Sequence, residues 1–264
     1  MWYMMFAKKS LGQNFLIDKN IIKKIINLVK IKDKIIIEIG PGRGALTDEI
    51  LKKKPKFIYI IEKDIFLYEE LRIKYSHIKN IKIFNSDILD FNLEKIVKKN
   101  SIIFGNLPYN ISSQILVKIL RFKIWPPNFE NLIFMFQKEL GEKILGNFHK
   151  KSYGRLSILT YYRLKFLKKF LVSQNCFFPR PKVSSMVILF EPKREKIYNI
   201  KSLLNLEKIT NIFFSNKRKM INKNIKKILN RKEIKSINGL KLNSRPSEIN
   251  PETYYKITEL FEKK

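Results

Sequence analysis

The chain has almost none of the residues from which disulfides and zinc sites are built. Its 264 residues include one cysteine, Cys176, and two histidines, His77 and His149. A single cysteine excludes an internal disulfide and fits a reducing compartment, so we expect a cytoplasmic protein. So few sulfur and imidazole ligands argue against zinc, and no acidic loop has the ligand spacing of another metal. We therefore expect no metal.

Long apolar runs are also missing. No stretch approaches the ~20 apolar residues of a membrane-spanning helix. The N-terminal WYMMF is followed at once by AKKS, and it is too short for the core of a signal peptide. We therefore expect a soluble intracellular protein without a membrane partner.

Acidic residues are scarce. The chain carries 54 Lys and Arg against 23 Asp and Glu, a formal net charge of +31. Such an excess favours a polyanionic partner, and we prefer nucleic acid. The alternative is a general drift toward Lys, Ile and Asn, as in KNIKKILNRKEIK. One segment is nevertheless uncharged: no charged residue occurs from Ser101 to Val117.

What the chain does contain is a regular alternation of strands and helices. Apolar runs of strand length end in Gly, Asn, Asp, Glu or Gln, and helical patterns separate them. This alternation predicts an α/β fold with a doubly wound, Rossmann-like parallel sheet. The predicted strands are 34–40, 56–62, 81–87, 101–106, 131–137 and 183–190, and the predicted helices include 21–29, capped by Asp18, 46–54 and 65–75.

Near residue 191 the pattern changes to helices alone. Asn250 and Pro251 have the residue types that begin a helix, at the N-cap and the first helical position. We therefore predict two domains, a catalytic domain over 1–190 and a small all-helical domain over 191–264.

A glycine-rich turn, EIGPGRGALT, follows the first predicted strand and opens a helix. Gly40 and Gly42 allow a tight turn and close approach of the backbone to a ligand. Glu62 ends the next strand, 62 − 40 = 22 residues after Gly40, where an acid binds ribose hydroxyls. Asp64 competes for that role, but it fits the cap of the next helix better. Asp87 ends the third strand, within reach of an adenine amino group. A nicotinamide dinucleotide and S-adenosylmethionine both fit this turn.

The fourth strand decides between these ligands, because it ends in Asn106-Leu107-Pro108-Tyr109 inside the uncharged stretch. The Asn106 amide and the carbonyl of Leu107 or Pro108 suit the two N–H groups of an exocyclic amine, whose lone pair would then face a methyl donor. Tyr109 offers a ring face on which a flipped base stacks. The alternative is that Asn106 caps the helix that follows. We predict a catalytic site that methylates an amine.

Several further segments resemble one family. The stretches LGQNFL, EIGPGRGALT, IEKD, SDIL, GNLPYNIS, QKE, YGRLSI and FFPRPKVSS occur in order over roughly residues 8–190, and FFSNKRKMINKNI extends a weaker similarity. They resemble the ribosomal RNA adenine dimethyltransferases of the KsgA/RsmA type. The resemblance implies that S-adenosylmethionine binds at Asn14, Leu16, Gly40, Glu62, Asp87 and Asn106, with S-adenosylhomocysteine as product. It also implies that Phe177 clamps the base opposite Tyr109, with Phe178 as competitor.

The same resemblance implies N6-dimethylation of two adjacent adenosines near the 3′ end of small-subunit (16S) ribosomal RNA, within an immature 30S particle. We expect a monomer. Three alternatives remain: an RNA-binding assembly factor with a vestigial methyltransferase fold, a large-subunit enzyme of the macrolide-resistance type, and a DNA adenine methyltransferase. The candidate phosphate contacts are Lys8, Lys9, Arg155, Lys217, Arg218 and Lys219.

Overall fold

The computed structural model describes residues 12–195 and 197–264, and these form two compact units. The first unit contains the described residues up to Gly141 together with Phe166–Pro192. The second contains Glu142–Lys165 and the described residues of Lys193–Lys264. The second unit thus contains an internal segment of the chain in addition to its C-terminal part. Lys8 and Lys9 lie outside the described residues.

The strands of the described residues are β1 Phe15–Leu16, β2 Ile35–Ile39, β3 Phe57–Glu62, β4 Ile81–Asn85, β5 Ser101–Asn106, β6 Phe129–Gln137, β7 Leu164–Val172, β8 Phe177–Phe178 and β9 Ser185–Pro192. Seven of them form one sheet in the order β4-β3-β2-β5-β6-β9-β7. The strands from β4 to β6 run parallel to their neighbours, and β9 is antiparallel to β6. The predicted α/β architecture is therefore confirmed.

Helices of the first unit follow the strands, as the alternation predicts. They are α1 Lys19–Ile26, α2 Ala45–Lys52, α3 Ile65–Lys74, α4 Ser112–Leu120 and α5 Lys138–Ile144, which continues into the second unit. Asp18 caps α1 and accepts the amides of Asn20 and Ile21. Such a side-chain cap satisfies N–H groups that the first helical turn leaves unpaired. Asp64 caps α3 in the same way, through the amide of Phe66 at 3.0 Å.

Helices dominate the second unit. They are α6 Arg155–Arg163, α7 Leu203–Phe214, α8 Asn222–Lys226, α9 Arg231–Lys235 and α10 Pro251–Phe261. Asn250 caps α10 through the amide of Thr253, and Pro251 occupies the first helical position, as predicted. Phe213 of α7 meets Tyr254 of α10 edge to face, with ring centroids 5.6 Å apart. Both rings are fully buried, so they anchor the packing of these two helices.

The central strands are buried because their side chains are apolar on both faces. Ile36, Ile37 and Ile39 of β2 and Phe104 of β5 are all buried. Two-sided burial is the usual environment of strands in a parallel sheet, where helices cover both faces. Each such side chain contributes about 1.5–3 kcal/mol when fully removed from water. This rigid centre holds the polar residues at the strand ends in place.

Three strands have no predicted counterpart. The stretch of β7 reads LKFLKKFLV, and most of its side chains are exposed, so it lacks the apolar pattern of a buried strand. β1 and β8 have two residues each and pair only with one another. No helix of the described residues is long and apolar enough to cross a membrane.

Candidate active site

A cavity of about 560 Å³ lies at the edge of the sheet where the parallel strands end. Polar groups converge there because parallel strands present their carboxyl ends on one side. The predicted residues that line it are Asn14, Leu16, Gly40, Gly42, Glu62, Asp87, Asn106, Leu107, Pro108 and Tyr109. Phe177 does not belong to the described residues that line this cavity.

The glycine turn needs residues without a Cβ atom, both for its backbone conformation and for its close contact with Phe15. Gly40 and Gly42 have φ values of +66° and +58°, a region that side chains with a Cβ atom rarely adopt. A Cβ atom on Gly42 would lie 2.8 Å from the Phe15 ring. The loop therefore requires glycine both for its backbone conformation and for its contact with the segment before α1.

Glu62 presents a buried carboxylate at the end of β3. Its Oε1 atom accepts the amide of Asp64 at 2.8 Å, and the amides of Gly42 and Lys63 also favour the charged form. Burial nevertheless outweighs these hydrogen bonds and raises the pKa of Glu62 to about 7. Such a group is a strong acceptor for ligand hydroxyls. Its rival Asp64 is occupied as the cap of α3 and by the Gln13 amide at 3.1 Å.

Asp87 follows β4 and is held in place by its neighbours. Its carboxylate accepts the Leu89 amide at 2.8 Å and pairs with Lys63 at 2.6 Å. Partial burial alone would raise the pKa of Asp87, but these partners lower it below its usual value. The side chain is therefore a charged acceptor on the cavity wall.

Glu38 is a cavity residue that the sequence patterns did not single out. Its Oε2 atom accepts the Thr47 hydroxyl at 2.6 Å, whereas Oε1 has no hydrogen-bond partner among the described residues. Burial raises its pKa to about 7, although Thr47 opposes this shift. The signal was present in the sequence, because Glu38 is a charged residue inside the apolar run KIIIEIG.

Asn106 ends β5, and its amide is oriented by the segment before α1. Its Nδ2 donates to the backbone carbonyl of Asn14 at 3.1 Å. Because the amide nitrogen is engaged there, the Oδ1 atom is available as an acceptor. The alternative that Asn106 caps the next helix is wrong. The N-cap of α4 is Ile111, and no side chain caps that helix start.

The backbone carbonyls of Leu107 and Pro108 differ in whether they already accept a hydrogen bond. The Pro108 carbonyl accepts the Ile111 amide at 3.2 Å, whereas the Leu107 carbonyl has no such partner among the described residues. Leu107 is therefore the better of the two predicted backbone acceptors. The Tyr109 hydroxyl lies 2.7 Å from the Ser185 hydroxyl, and burial raises the pKa of Tyr109, so the phenol is neutral.

The segment from Gly12 to Ile17 ties several parts of the site together. β1 pairs with β8, with Phe15 opposite Phe178 and Leu16 opposite Phe177. The Ile17 amide also donates to the Cys176 carbonyl at 2.9 Å. The segment thus contacts the glycine turn, Asn106 and β8 at once.

Phe177 and Phe178, the candidates for the ring opposite Tyr109, are not among the described residues that line the cavity. Phe177 is 3% exposed and packs in the core with Leu16 and Cys176, while Phe178 is half-buried. The ring of Phe177 therefore does not border the cavity in this arrangement. Its assignment as a base clamp stays a prediction.

The predicted phosphate contacts of the second unit are all at the surface. Arg155 begins α6, and Lys217, Arg218 and Lys219 lie in the turn between α7 and α8, with exposed side chains. Their contact with RNA stays a prediction. In the part of the chain that the structure describes, no cluster of three or more His, Cys, Asp or Glu could hold a metal ion.

Comparison with known proteins gives one consistent result. A family model described as ribosomal RNA adenine dimethylase matches residues 4–263. A protein from Pelagibacter ubique, named ribosomal RNA small subunit methyltransferase A, is 45% identical over 260 residues, which cover 97% of each chain. A protein of the same name from Malacoplasma penetrans is 38% identical and covers 96% of this chain and 91% of its own.

Two solved structures share the fold. A dimethyladenosine transferase from Plasmodium falciparum has a TM-score of 0.77 at 24% identity, over 94% of this chain and 98% of its own. The 23S rRNA methyltransferase ErmE has a TM-score of 0.70 at 24% identity, over 94% of this chain and 99% of its own. At this identity the likeness supports the Rossmann-like methyltransferase fold alone.

Proposed function

The chain belongs to the ribosomal RNA adenine dimethylase family, and we propose on this premise that it dimethylates N6 of two adjacent adenosines near the 3′ end of small-subunit ribosomal RNA. Membership of this family makes the chain a methyltransferase. The names of the two relatives support the small-subunit substrate over a large-subunit one. The observation that carries the chemistry is the oriented amide of Asn106. It lies in the same cavity as the carboxylates Glu38, Glu62 and Asp87, which form the acid-lined half of the cavity.

The cavity fits S-adenosylmethionine, which supplies an electrophilic methyl group on a sulfonium centre when it is bound. Glu62 would accept the ribose hydroxyls, since its carboxylate is buried on the cavity wall. Asp87 would accept from the adenine amino group, and the turn around Gly40 and Gly42 admits the ligand close to the backbone. Asn14 and Leu16 would close the cavity from the segment before α1. Glu38 also lines this space, and its buried Oε1 atom has no hydrogen-bond partner among the described residues.

Asn106 and Leu107 would hold the target amine. The Asn106 Oδ1 atom and the Leu107 carbonyl each accept one N–H group of adenine N6, which draws the nitrogen toward tetrahedral geometry. Its lone pair then faces the methyl donor instead of remaining conjugated with the ring. The carbonyl of Asn14 fixes this geometry in advance, because it keeps the Asn106 amide from turning over.

No general base is required for this reaction. The amine becomes acidic once it has gained a methyl group, so its proton can leave to water after the transfer. Charged side chains near the amine would hinder the reaction, since a cation repels a sulfonium and a carboxylate competes as a nucleophile. The uncharged stretch from Ser101 to Val117 fits this requirement.

Tyr109 would hold the flipped base by stacking. Base stacking on an aromatic ring contributes about 1–3 kcal/mol. We propose Phe177 as the opposite face of the clamp, which requires its ring to leave the core position that it occupies here. The exposed cations Arg155, Lys217, Arg218 and Lys219 would bind RNA phosphates. We place the protein in the cytoplasm as a monomer acting on an immature 30S particle.

A ribosome-assembly factor with a vestigial methyltransferase fold is the alternative from another class. A methylation assay distinguishes the enzyme from the assembly factor. It combines purified protein, labelled S-adenosylmethionine and small subunits that lack dimethyladenosine. The expected result is labelled N6,N6-dimethyladenosine with the wild type and its loss with Asn106→Ala. Folded wild-type protein that binds the particles without labelling them would contradict the enzymatic proposal and support the assembly role.

A further inference from the structure

Tyr109 is joined to the far strand β9 by one hydrogen bond. Its hydroxyl lies 2.7 Å from the Oγ atom of Ser185, a normal distance for a hydrogen bond between two hydroxyls. The two residues are 76 positions apart in the chain. The predicted stacking role of Tyr109 uses only the faces of its ring, so the function proposed above leaves this contact unexplained.

Ser185 is a rigid anchor. Its exposure is 0%, and it is the first residue of β9. It stands opposite Gln137 in the antiparallel pairing of β6 with β9, which continues as far as the pair Leu132 and Phe190. A hydroxyl fixed in a sheet at this depth moves little, and β6 is itself the parallel neighbour of β5, the strand that carries Asn106.

The backbone around Tyr109 is fixed independently. The Ser112 hydroxyl donates to the Tyr109 carbonyl at 3.2 Å, and the Pro108 carbonyl accepts the Ile111 amide. With the backbone held in this way, the remaining freedom of Tyr109 is rotation of its side chain. A hydrogen bond from the hydroxyl at the far end of the ring removes that freedom, because it fixes the point farthest from the backbone.

We propose that Ser185 is a positioning residue that sets the ring plane of Tyr109 for the target base. This inference rests on the proposed function, since it assigns the ring a base to hold. Ser185 itself need not touch substrate or cofactor. It acts by keeping the stacking face of Tyr109 at one angle and one distance from the acceptors on Asn106 and Leu107.

The second methyl transfer depends most on this positioning. The unmodified amine has two N–H groups and uses both acceptors, whereas the monomethylated amine keeps one N–H and loses one of these hydrogen bonds. Stacking then provides a larger share of the orientation. In each transfer the nitrogen lone pair forms the N–C bond as the S–C bond breaks, sulfur keeps the bonding pair, and the amine then loses a proton to water.

The test is a double-mutant cycle with Ser185→Ala, Tyr109→Phe and the combined variant, measured on immature small subunits. Ser101→Ala is the matched control, because Ser101 is also fully buried at the first residue of a strand but lies at the opposite end of β5. The readouts are the rates of monomethyl- and dimethyladenosine formation and the binding of S-adenosylmethionine. Denaturant unfolding of all variants shows whether they fold.

We expect Ser185→Ala to slow the second transfer about five- to tenfold, the loss typical of one neutral hydrogen bond, and to slow the first transfer less. Monomethyladenosine should accumulate, cofactor binding should be unchanged, and the double variant should be no slower than either single one. If Ser185→Ala fails to fold, Tyr109→Phe tests the same hydrogen bond from the cavity side.

Two results would overturn the proposal. One is a Ser185→Ala or Tyr109→Phe protein with the monomethyl to dimethyl ratio of the wild type and of Ser101→Ala. The other is strict additivity of the two substitutions, which would mean that the hydroxyls do not act together. Absence of methylation by the wild type would contradict the proposed function itself, and the inference that rests on it would fail with it.

Discussion

The two halves of the cavity present different kinds of hydrogen-bond acceptor. The half formed by the ends of β2, β3 and β4 contains the carboxylates Glu38, Glu62 and Asp87. The half formed by the end of β5 offers an amide and a backbone carbonyl, in the uncharged stretch that begins at Ser101. One half is thus built from carboxylates whose pKa values are shifted, and the other from neutral acceptors.

The difference follows from what each half is proposed to bind. Ribose hydroxyls and an adenine amino group are neutral donors, and a carboxylate accepts their hydrogen bonds more strongly than an amide does. The reacting amine has the opposite need, because its lone pair must remain free beside a cationic methyl donor. Exchanging a charged and a neutral acceptor between the halves therefore tests the division directly.

The largest effect is expected for Asn106→Asp, which places a charge in the neutral half. The new carboxylate cannot donate to the Asn14 carbonyl, so the acceptor loses its orientation while it also faces the reacting centre. We expect the rate at saturating cofactor to fall about a hundredfold or more, as when one oriented group of an active site is removed. Asn131→Asp, in β6 away from the cavity, is the control. A rate within twofold of the wild type for Asn106→Asp would contradict the assigned role.

The reverse exchange, Glu62→Gln, removes an acidic group from the acid-lined half, and it is measured at pH 8, where Glu62 is charged although burial raises its pKa to about 7. Hydrogen bonds to a charged group contribute about 1.5–3 kcal/mol, so we expect cofactor affinity to fall about ten- to a hundredfold. The rate at saturating cofactor should change little, since Glu62 does not touch the amine. Calorimetric titration with S-adenosylhomocysteine measures the affinity, and Glu69→Gln on α3 is the control. An unchanged affinity would remove Glu62 from the cofactor site.

A third prediction concerns the pH dependence of the acid-lined half. Burial raises the pKa of Glu38 from its ordinary value of 4.5 to about 7. The folded protein therefore binds the proton more tightly than the unfolded chain, and the free energy of unfolding decreases as the pH rises from about 4.5 to 7. Glu38→Gln should remove at most about 3–4 kcal/mol of this decrease in the free energy of unfolding, because one pKa unit corresponds to about 1.4 kcal/mol.

Denaturant unfolding between pH 5 and 8 without cofactor measures that slope. Glu69→Gln again serves as the control, because Glu69 lies on α3 and does not line the cavity. The Glu38→Gln variant should keep part of the slope, since the pKa of Glu62 is raised to about 7 as well. A Glu38→Gln slope identical to that of the wild type would show that Glu38 is charged throughout.

The smallest effect is expected for charges outside both halves. Arg218→Ala should weaken binding to ribosomal RNA of any sequence. It should also reduce the slope of log affinity against log salt concentration by about one, because one phosphate contact is lost. Lys99→Ala, at the exposed turn before β5, is the control. Filter binding at several salt concentrations measures the slope. An unchanged slope for Arg218→Ala would exclude this residue as a phosphate contact.

Most of the fold and about half of the site followed from local patterns. Glu62, Asp87 and Asn106 were predictable because each ends an apolar run, and the ends of parallel strands meet at one edge of a sheet. Gly40 and Gly42 were predictable because a turn with positive φ requires glycine. These features depend on neighbours in sequence and on one rule of sheet geometry.

The remaining features depend on contacts between distant segments. Three contacts join residues more than 70 positions apart. They are the pairing of Phe15–Leu16 with Phe177–Phe178, the hydrogen bond of Asn106 to the Asn14 carbonyl, and the hydrogen bond of Tyr109 to Ser185. Two-residue strands have no periodicity, and a serine that binds a tyrosine resembles any other serine. Residue type and spacing thus determined which groups the site contains, whereas tertiary packing decided how each is oriented and charged, because orientation and burial depend on neighbours that only the folded chain brings together.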